Sequence, residues 1–288
     1  EDERKPVREA AYLYLVATRL GTLCLFAAVA LLYSAVGSFD LVGLAATPLA
    51  SAIFWLGVVG FAVKAGIMPL HVWLPDAHAE VPSHVSALMS GVLIKIGIYG
   101  IIRLSSLFAP PLWWGVTMLA LGAVSAVLGV AFAIGQHDVK RLLAYHSVEN
   151  IGIICIGIGV AMLGRATGRN DWLVLGMAGA LLHVWNHGLF KALLFFGAGS
   201  VIHATGTREI DRLGGLARAM PATALYFLIG AVAICGLPPL NGLVSELLVY
   251  LGLLRSVSSG AGRLWLAGAA ATAALALVGA LALACFVK

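Results

Sequence analysis

Residues 172–203 read WLVLGMAGALLHVWNHGLFKALLFFGAGSVIH, with one lysine, three histidines and no carboxylate. A helix of about 20 apolar residues crosses the hydrocarbon core of a bilayer, and this run exceeds that length. His183, His187 and Lys191 recur at intervals of four, so a helix carries all three on one face. Titratable groups along one stripe of an apolar helix are expensive in lipid and must face protein or water. The stretch therefore predicts an all-α, polytopic transmembrane helix bundle with a polar interior.

The rest of the chain agrees. Hydrophobic residues make up 61% of the 288 positions and charged residues 11%, against about 25% charged in a soluble domain. Mean hydropathy is +1.00. Eight apolar runs reach spanning length, at roughly 11–36, 48–70, 83–107, 112–135, 139–164, 172–203, 221–254 and 264–287. Two are interrupted: the second meets Gly66, Pro69 and then Pro75, and the seventh is cut by GLPPLNG at 236–242. Proline removes a helical donor and clashes with the preceding turn. Broken helices in matching places of two halves point to a transporter built from inverted repeats. We expect residues 1–110 to hold the C-terminal part of a first repeat, with its broken helix around 64–70. Residues 111–260 are expected to form the second repeat, and 261–288 an additional transmembrane helix.

The opening EDERKPVRE reads as an interfacial loop, and no signal-peptide pattern is present. The expectation is an internal piece of a longer protein. Cys24, Cys155, Cys235 and Cys285 are scattered with no CxxC pairing, so neither a disulfide framework nor a metal knuckle is predicted. Counting Lys and Arg at the span ends places Arg4, Lys5, Arg8, Lys140, Arg141, Arg208, Arg212, Arg218 and Lys288 on the side of the N-terminus, side A. Arg103, Arg165, Arg169, Arg255 and Arg263 fall on side B. The excess makes side A cytoplasmic. The net charge of +5 thus belongs to span ends, and no nucleic-acid partner is expected.

Further ionisable residues lie inside the apolar runs: Lys64 in the second, Lys95 in the third, His146 and Glu149 in the fifth, Glu246 just past the break in the seventh. Neighbouring groups that are charged or neutral at similar cost are what proton exchange through a membrane requires. Blander readings stand beside this one. A lysine can snorkel to the interface, Lys191 above all. A histidine can serve packing alone, Glu149 can pair with Lys140 or Arg141, and Glu246 can brace the broken helix. His71, Asp76, His78, Glu80 and His84 in HVWLPDAHAEVPSH could hold a metal, but the better reading is a structured loop sealing the first break. Asp40, Asp138, Asp171 and the 208–218 cluster read as solvated loop charge. Two histidines four apart on one face cannot grip a haem iron from both sides. No cofactor is predicted, and with no CxxC, nucleotide fingerprint or iron–sulfur spacing the chain has no redox chemistry of its own.

The stretch FAVKAGIMPLHVWLPDAHAEVPSHVSALMSGVLIKIGIYGIIR, with DVKRLLAYHSVENIGII, NHGLFKALLFFGAGSVIH and GLPPLNGLVSE, resembles the antiporter-like subunits of complex I, of cation/proton antiporter complexes and of membrane-bound hydrogenases. The forms SHVSALMSG, YHSVENIG, HATGTREIDRLGGL and GLPPLNGLVSE look closest to the hydrogenase branch, the large membrane subunit of formate hydrogenlyase and type-four hydrogenases. The resemblance covers nearly the whole chain. It implies part of a longer subunit of about fourteen helices with inverted repeats, in a bacterial or archaeal cytoplasmic membrane. It also implies membrane partners from a hydrogenase or complex-I-like assembly, including a neighbouring antiporter-like or quinone-side, heel-type subunit. By the same resemblance Lys64 takes the place of the pump lysine on the first broken helix, and Lys95 that of the next span's lysine in the central axis. His183 and His187 match the central histidines, with Lys191 one turn on, and Glu246 sits where the second broken helix carries its terminal lysine or glutamate. The family pairs the pump lysine with a glutamate on an earlier span. Here Glu1, Glu3 and Glu9 fall in the opening segment, so the partner is expected upstream. The implied function is proton translocation within a redox-driven complex, with a cation/proton antiporter lacking redox partners as the alternative.

Overall fold

The computed structural model describes residues 4–40, 47–258, 262 and 264–287. The labelled helices are α1 (Lys5–Val36), α2 (Ala50–Ala65), α3 (Trp73–Glu80), α4 (Ser83–Leu107), α5 (Leu112–Ile134) and α6 (Val139–Thr167), followed by α7 (Asn170–Thr205), α8 (Pro221–Ile234), α9 (Asn241–Ser258) and α10 (Leu264–Val287). Among the described residues, α1, α4, α5, α6, α7 and α10 are long and apolar enough to cross a membrane, while α2 and α8 are shorter apolar helices. The eight expected spans thus reappear as these six plus two broken ones, α2 with α3 and α8 with α9. This is a multi-pass membrane protein.

Three local expectations are corrected. Residues 71–84 are not a sealing loop: Trp73–Glu80 is helical and largely buried, the second half of the first broken helix. Pro75 is accommodated because it sits in the first turn, where no intrahelical donor is lost. Glu9 lies within α1 and pairs with Lys5 at 3.7 Å on an exposed face, whereas Glu1 and Glu3 fall outside the described residues, as do Arg263 and Lys288. Lys140, Arg208 and Asp138 are not free loop charges. Asp138 caps α6 by accepting from the backbone N–H groups of Lys140 and Arg141, as an N-cap carboxylate does. The buried Lys140 ammonium donates to the carbonyls of Val81 and Ala79. Arg208 donates to the same Ala79 carbonyl at 2.5 Å and pairs with Glu80 at 2.9 Å and Asp138 at 2.6 Å. Two cations therefore satisfy the carbonyl end of α3.

The core is organised around α6, whose most apolar stretch is wholly buried. Ile151, Ile154, Cys155 and Ile158 pack with α1–α5 on one flank. Ile153, Ile156, Val160 and Leu163 join α5 and α7–α10 on the other. Helix α5 closes on α6 backbone to backbone. A Cβ on Gly122 would stand 2.7 Å from the Gly152 carbonyl oxygen, one on Gly129 2.6 Å from the Glu149 nitrogen, and one on Gly152 2.4 Å from the Ala126 nitrogen. Small residues at such spacing are how helices approach closely in lipid.

Both breaks are stitched by protein, as the absence of water in hydrocarbon demands. At the first, Gly66 takes the left-handed conformation, the Trp73 indole donates to the Val63 carbonyl at 2.8 Å, and the Met68 N–H donates to Ser125 Oγ at 3.3 Å. Ser125 in turn donates to the Val148 carbonyl at 3.2 Å. At the second, the Leu237 N–H returns to the Val232 carbonyl, and Asn186 and Asn241 exchange side-chain bonds across the gap to α7.

Candidate functional site

The interior holds a line of polar side chains from α4, α6, α7 and α9. In α4 a π turn at Met89–Leu93 widens the helix, a distortion frequent at functional sites. Lys95 follows it, 8% exposed, and its ammonium folds back onto the Ser90 carbonyl while meeting His187 Nδ1. An ammonium has only donors, so when Lys95 is charged, Nδ1 accepts and the histidine proton sits on Nε2. That Nε2 is buried and has no partner among the described residues. Two basic nitrogens thus meet here in one direct contact.

His187 stacks one turn from His183, with ring centroids 6.5 Å apart. His183 Nε2 lies 3.0 Å from Asn150 Oδ1 and Nδ1 2.9 Å from Ser245 Oγ. Lys191, fully buried, donates to the Leu143 carbonyl and lies over the Phe195 ring. Ser147 donates to that same carbonyl and bonds Ser90 Oγ at 2.8 Å, so α4 and α7 meet on α6. Glu149, 1% exposed, accepts from His146 Nδ1 and lies within electrostatic reach of both Lys191 and Glu246. It does not pair with Lys140 or Arg141; Arg141 binds Asp76 at 2.7 Å instead. Glu246 packs its carboxylate over Gly236 in the second break.

The sequence-predicted set is thus largely brought together: Lys95, His183, His187, Lys191, Glu149 and Glu246 share one buried region. Lys64 stands apart. It is half-buried at the end of α2, and its ammonium has no hydrogen-bond or ion-pair partner among the described residues. Sequence reasoning underrated His146, whose spacing of three from Glu149 was the available signal, and passed over Ser90, Ser147, Asn150, Asn186 and Ser245. His78 is buried against Phe195 at 4.8 Å, with both ring nitrogens unpartnered among the described residues. It lies within reach of the charges on Lys191, Lys140 and Lys95. Arg19, also passed over, is exposed midway along α1.

The family described as "NADH:quinone oxidoreductase/Mrp antiporter, TM" matches residues 2–274. The chain belongs to this family. It is 47% identical over 287 residues to "Hydrogenase-4 component B" of Escherichia coli (strain K12), covering 97% of this chain and 43% of that protein. It is 44% identical to "Formate hydrogenlyase subunit 3" of the same organism, covering 96% and 46%. Among solved structures, the Mrp complex from Dietzia sp. DQ12-45-1b superposes with a TM-score of 0.81 at 27% identity, covering 96% of this chain and 49% of that one. An archaeal membrane-bound sulfane sulfur reductase gives 0.79 at 30% identity, covering 95% and 45%. The chain spans about half the length of the relatives it matches.

Proposed function

We propose that this chain carries a proton-conducting axis of an antiporter-like membrane subunit in a redox-driven complex of the hydrogenase kind. The observation that supports it most is the contact of Lys95 with His187, two basic groups from different helices that meet directly in a buried site. From His187 the axis extends along α7 one turn to His183 and, in the other direction, one turn to Lys191, and from Lys191 through Glu149 to Glu246. Water bridges the steps longer than a hydrogen bond. Lys64 enters from the first break when its half-helix moves. Electrons travel in other subunits. The relatives' names favour a hydrogenase-type assembly, with neighbouring membrane subunits flanking this one. The excess of Lys and Arg on side A supports a cytoplasmic N-terminus in a prokaryotic cytoplasmic membrane. We place the boundary between inverted halves at the α4–α5 connection. α10 follows the second broken helix as α4 follows the first, so the second half extends through it.

The test uses the full-length subunit in its native complex, reconstituted in vesicles. Lys191→Ala and Glu246→Gln are expected to lower proton uptake per electron while electron transfer continues. Unchanged uptake in both variants would overturn the reading. The likeness to the Mrp complex favours a second reading, cation/proton exchange without redox partners. Sodium-dependent proton movement in everted vesicles given no electron donor would establish that one.

His146→Asn separates geometry from proton exchange at Glu149. The asparagine amide keeps a donor toward the carboxylate but takes up no proton. The complex is expected to assemble normally and to translocate protons several-fold more slowly, by stopped-flow uptake at matched electron flux. A wild-type rate would confine His146 to holding Glu149 in place.

A further inference from the structure

Ser245 stands between His183, on the axis proposed above and on which this inference rests, and the start of α9. The Asn150 amide donates to the His146 carbonyl at 2.7 Å. A carbonyl accepts only, so Asn150 turns Oδ1 toward His183, and His183 Nε2 must carry the proton it donates there. The Asn186 amide is fixed in the same way by the Asn241 carbonyl at 2.8 Å, and its second hydrogen goes to Ser245 Oγ at 3.1 Å. Ser245 then has a single hydrogen and two candidate acceptors, the Gly242 carbonyl at 2.9 Å and His183 Nδ1 at 2.9 Å. When His183 is neutral, Nδ1 has a free lone pair and the hydroxyl turns to it. When His183 is charged, Nδ1 donates to Oγ and the hydroxyl must turn to Gly242. The two states exclude each other.

Gly242 is where the halves of the second broken helix touch: a Cβ there would lie 1.9 Å from the Ala233 carbonyl oxygen at the end of α8. We propose that Ser245 is a positioning residue whose hydroxyl reads the proton on His183 and passes it, as the gain or loss of one hydrogen bond, to the junction of α8 and α9. The groups facing His183 are Asn150 from α6, His187 on its own helix and Ser245 from α9, while Lys95 of α4 is the charge acting on it. The first turn of α9, which abuts the end of α8 at Gly242, therefore loses or gains one hydrogen bond according to whether a proton is held at the centre of the axis.

Hydrogen–deuterium exchange over residues 236–246, followed against pH in the full-length protein within its complex, tests this without any transport measurement. The wild type is expected to show a step of roughly fivefold above the intrinsic base-catalysed slope, the size one net hydrogen bond supplies. Ser245→Ala and His183→Gln are each expected to lose the step, and Ser245→Thr, which keeps the hydroxyl, to retain it. A step that survives in Ser245→Ala, or none in the wild type, overturns the proposal. Because exchange is read directly, failure here leaves the transport test of Lys191 and Glu246 standing, and failure there leaves this one.

Discussion

Lys95→Ala is expected to slow proton translocation by the full-length complex at least about tenfold, or roughly 1.4 kcal/mol on the transfer barrier. Removing the ammonium strips His187 Nδ1 and the Ser90 carbonyl of their buried partner, and His187 Nε2 has none among the described residues to compensate. The axis loses both a proton carrier and the charge that orients its central histidine. Lys95→Arg decides which loss matters. A guanidinium keeps the charge and the donors but does not release its proton at any accessible pH. If transfer runs through Lys95, the arginine variant is as slow as the alanine one; if the lysine only supplies charge, the arginine variant restores the rate. Proton uptake per electron in sealed vesicles, at matched electron flux, reads the difference.

Gly152→Ala is expected to be strongly destabilising. Its Cβ meets backbone on the facing helix, 2.4 Å from the Ala126 nitrogen and 2.6 Å from the Gly122 carbonyl oxygen, and neither can swing aside. Overpacking of this kind costs about 1–3 kcal/mol even where side chains can adjust, so a loss of about 3 kcal/mol or more is expected here. The thermal midpoint of the detergent-solubilised complex and the yield of assembled complex both report it. Gly279→Ala in α10 is the control. Among the described residues nothing lies within 4 Å of its added Cβ, and alanine is the better helix former by about 1 kcal/mol, so that variant is expected to match or exceed the parent.

These contrasts show why some features were legible in the sequence and others were not. The spans could be read because lipid imposes one long apolar run per crossing, and the breaks because Gly66, Pro69 and GLPPLNG cannot continue a helix in hydrocarbon. His183, His187 and Lys191 share a face by spacing alone, and the structure keeps them on one. The π turn before Lys95 left no mark, since MSGVL is compatible with an ordinary α-helix. Lys140 looked like a surface charge because sequence position cannot reveal that the carbonyl end of α3 lies above it. Partners of the hydroxyls and amides, Ser245 above all, depend on which helix faces which, and no local pattern encodes that.

The bond from Met68 N–H to Ser125, and from Ser125 to the Val148 carbonyl, has a mechanical consequence. Val148 directly precedes Glu149 in the chain, so one tether runs from the gap beside Lys64 to the peptide that carries the buried carboxylate. A lone serine hydroxyl thus ties the gap of the first broken helix to the backbone beside the buried carboxylate, a mechanical link that needs no proton or ion to cross the distance between them.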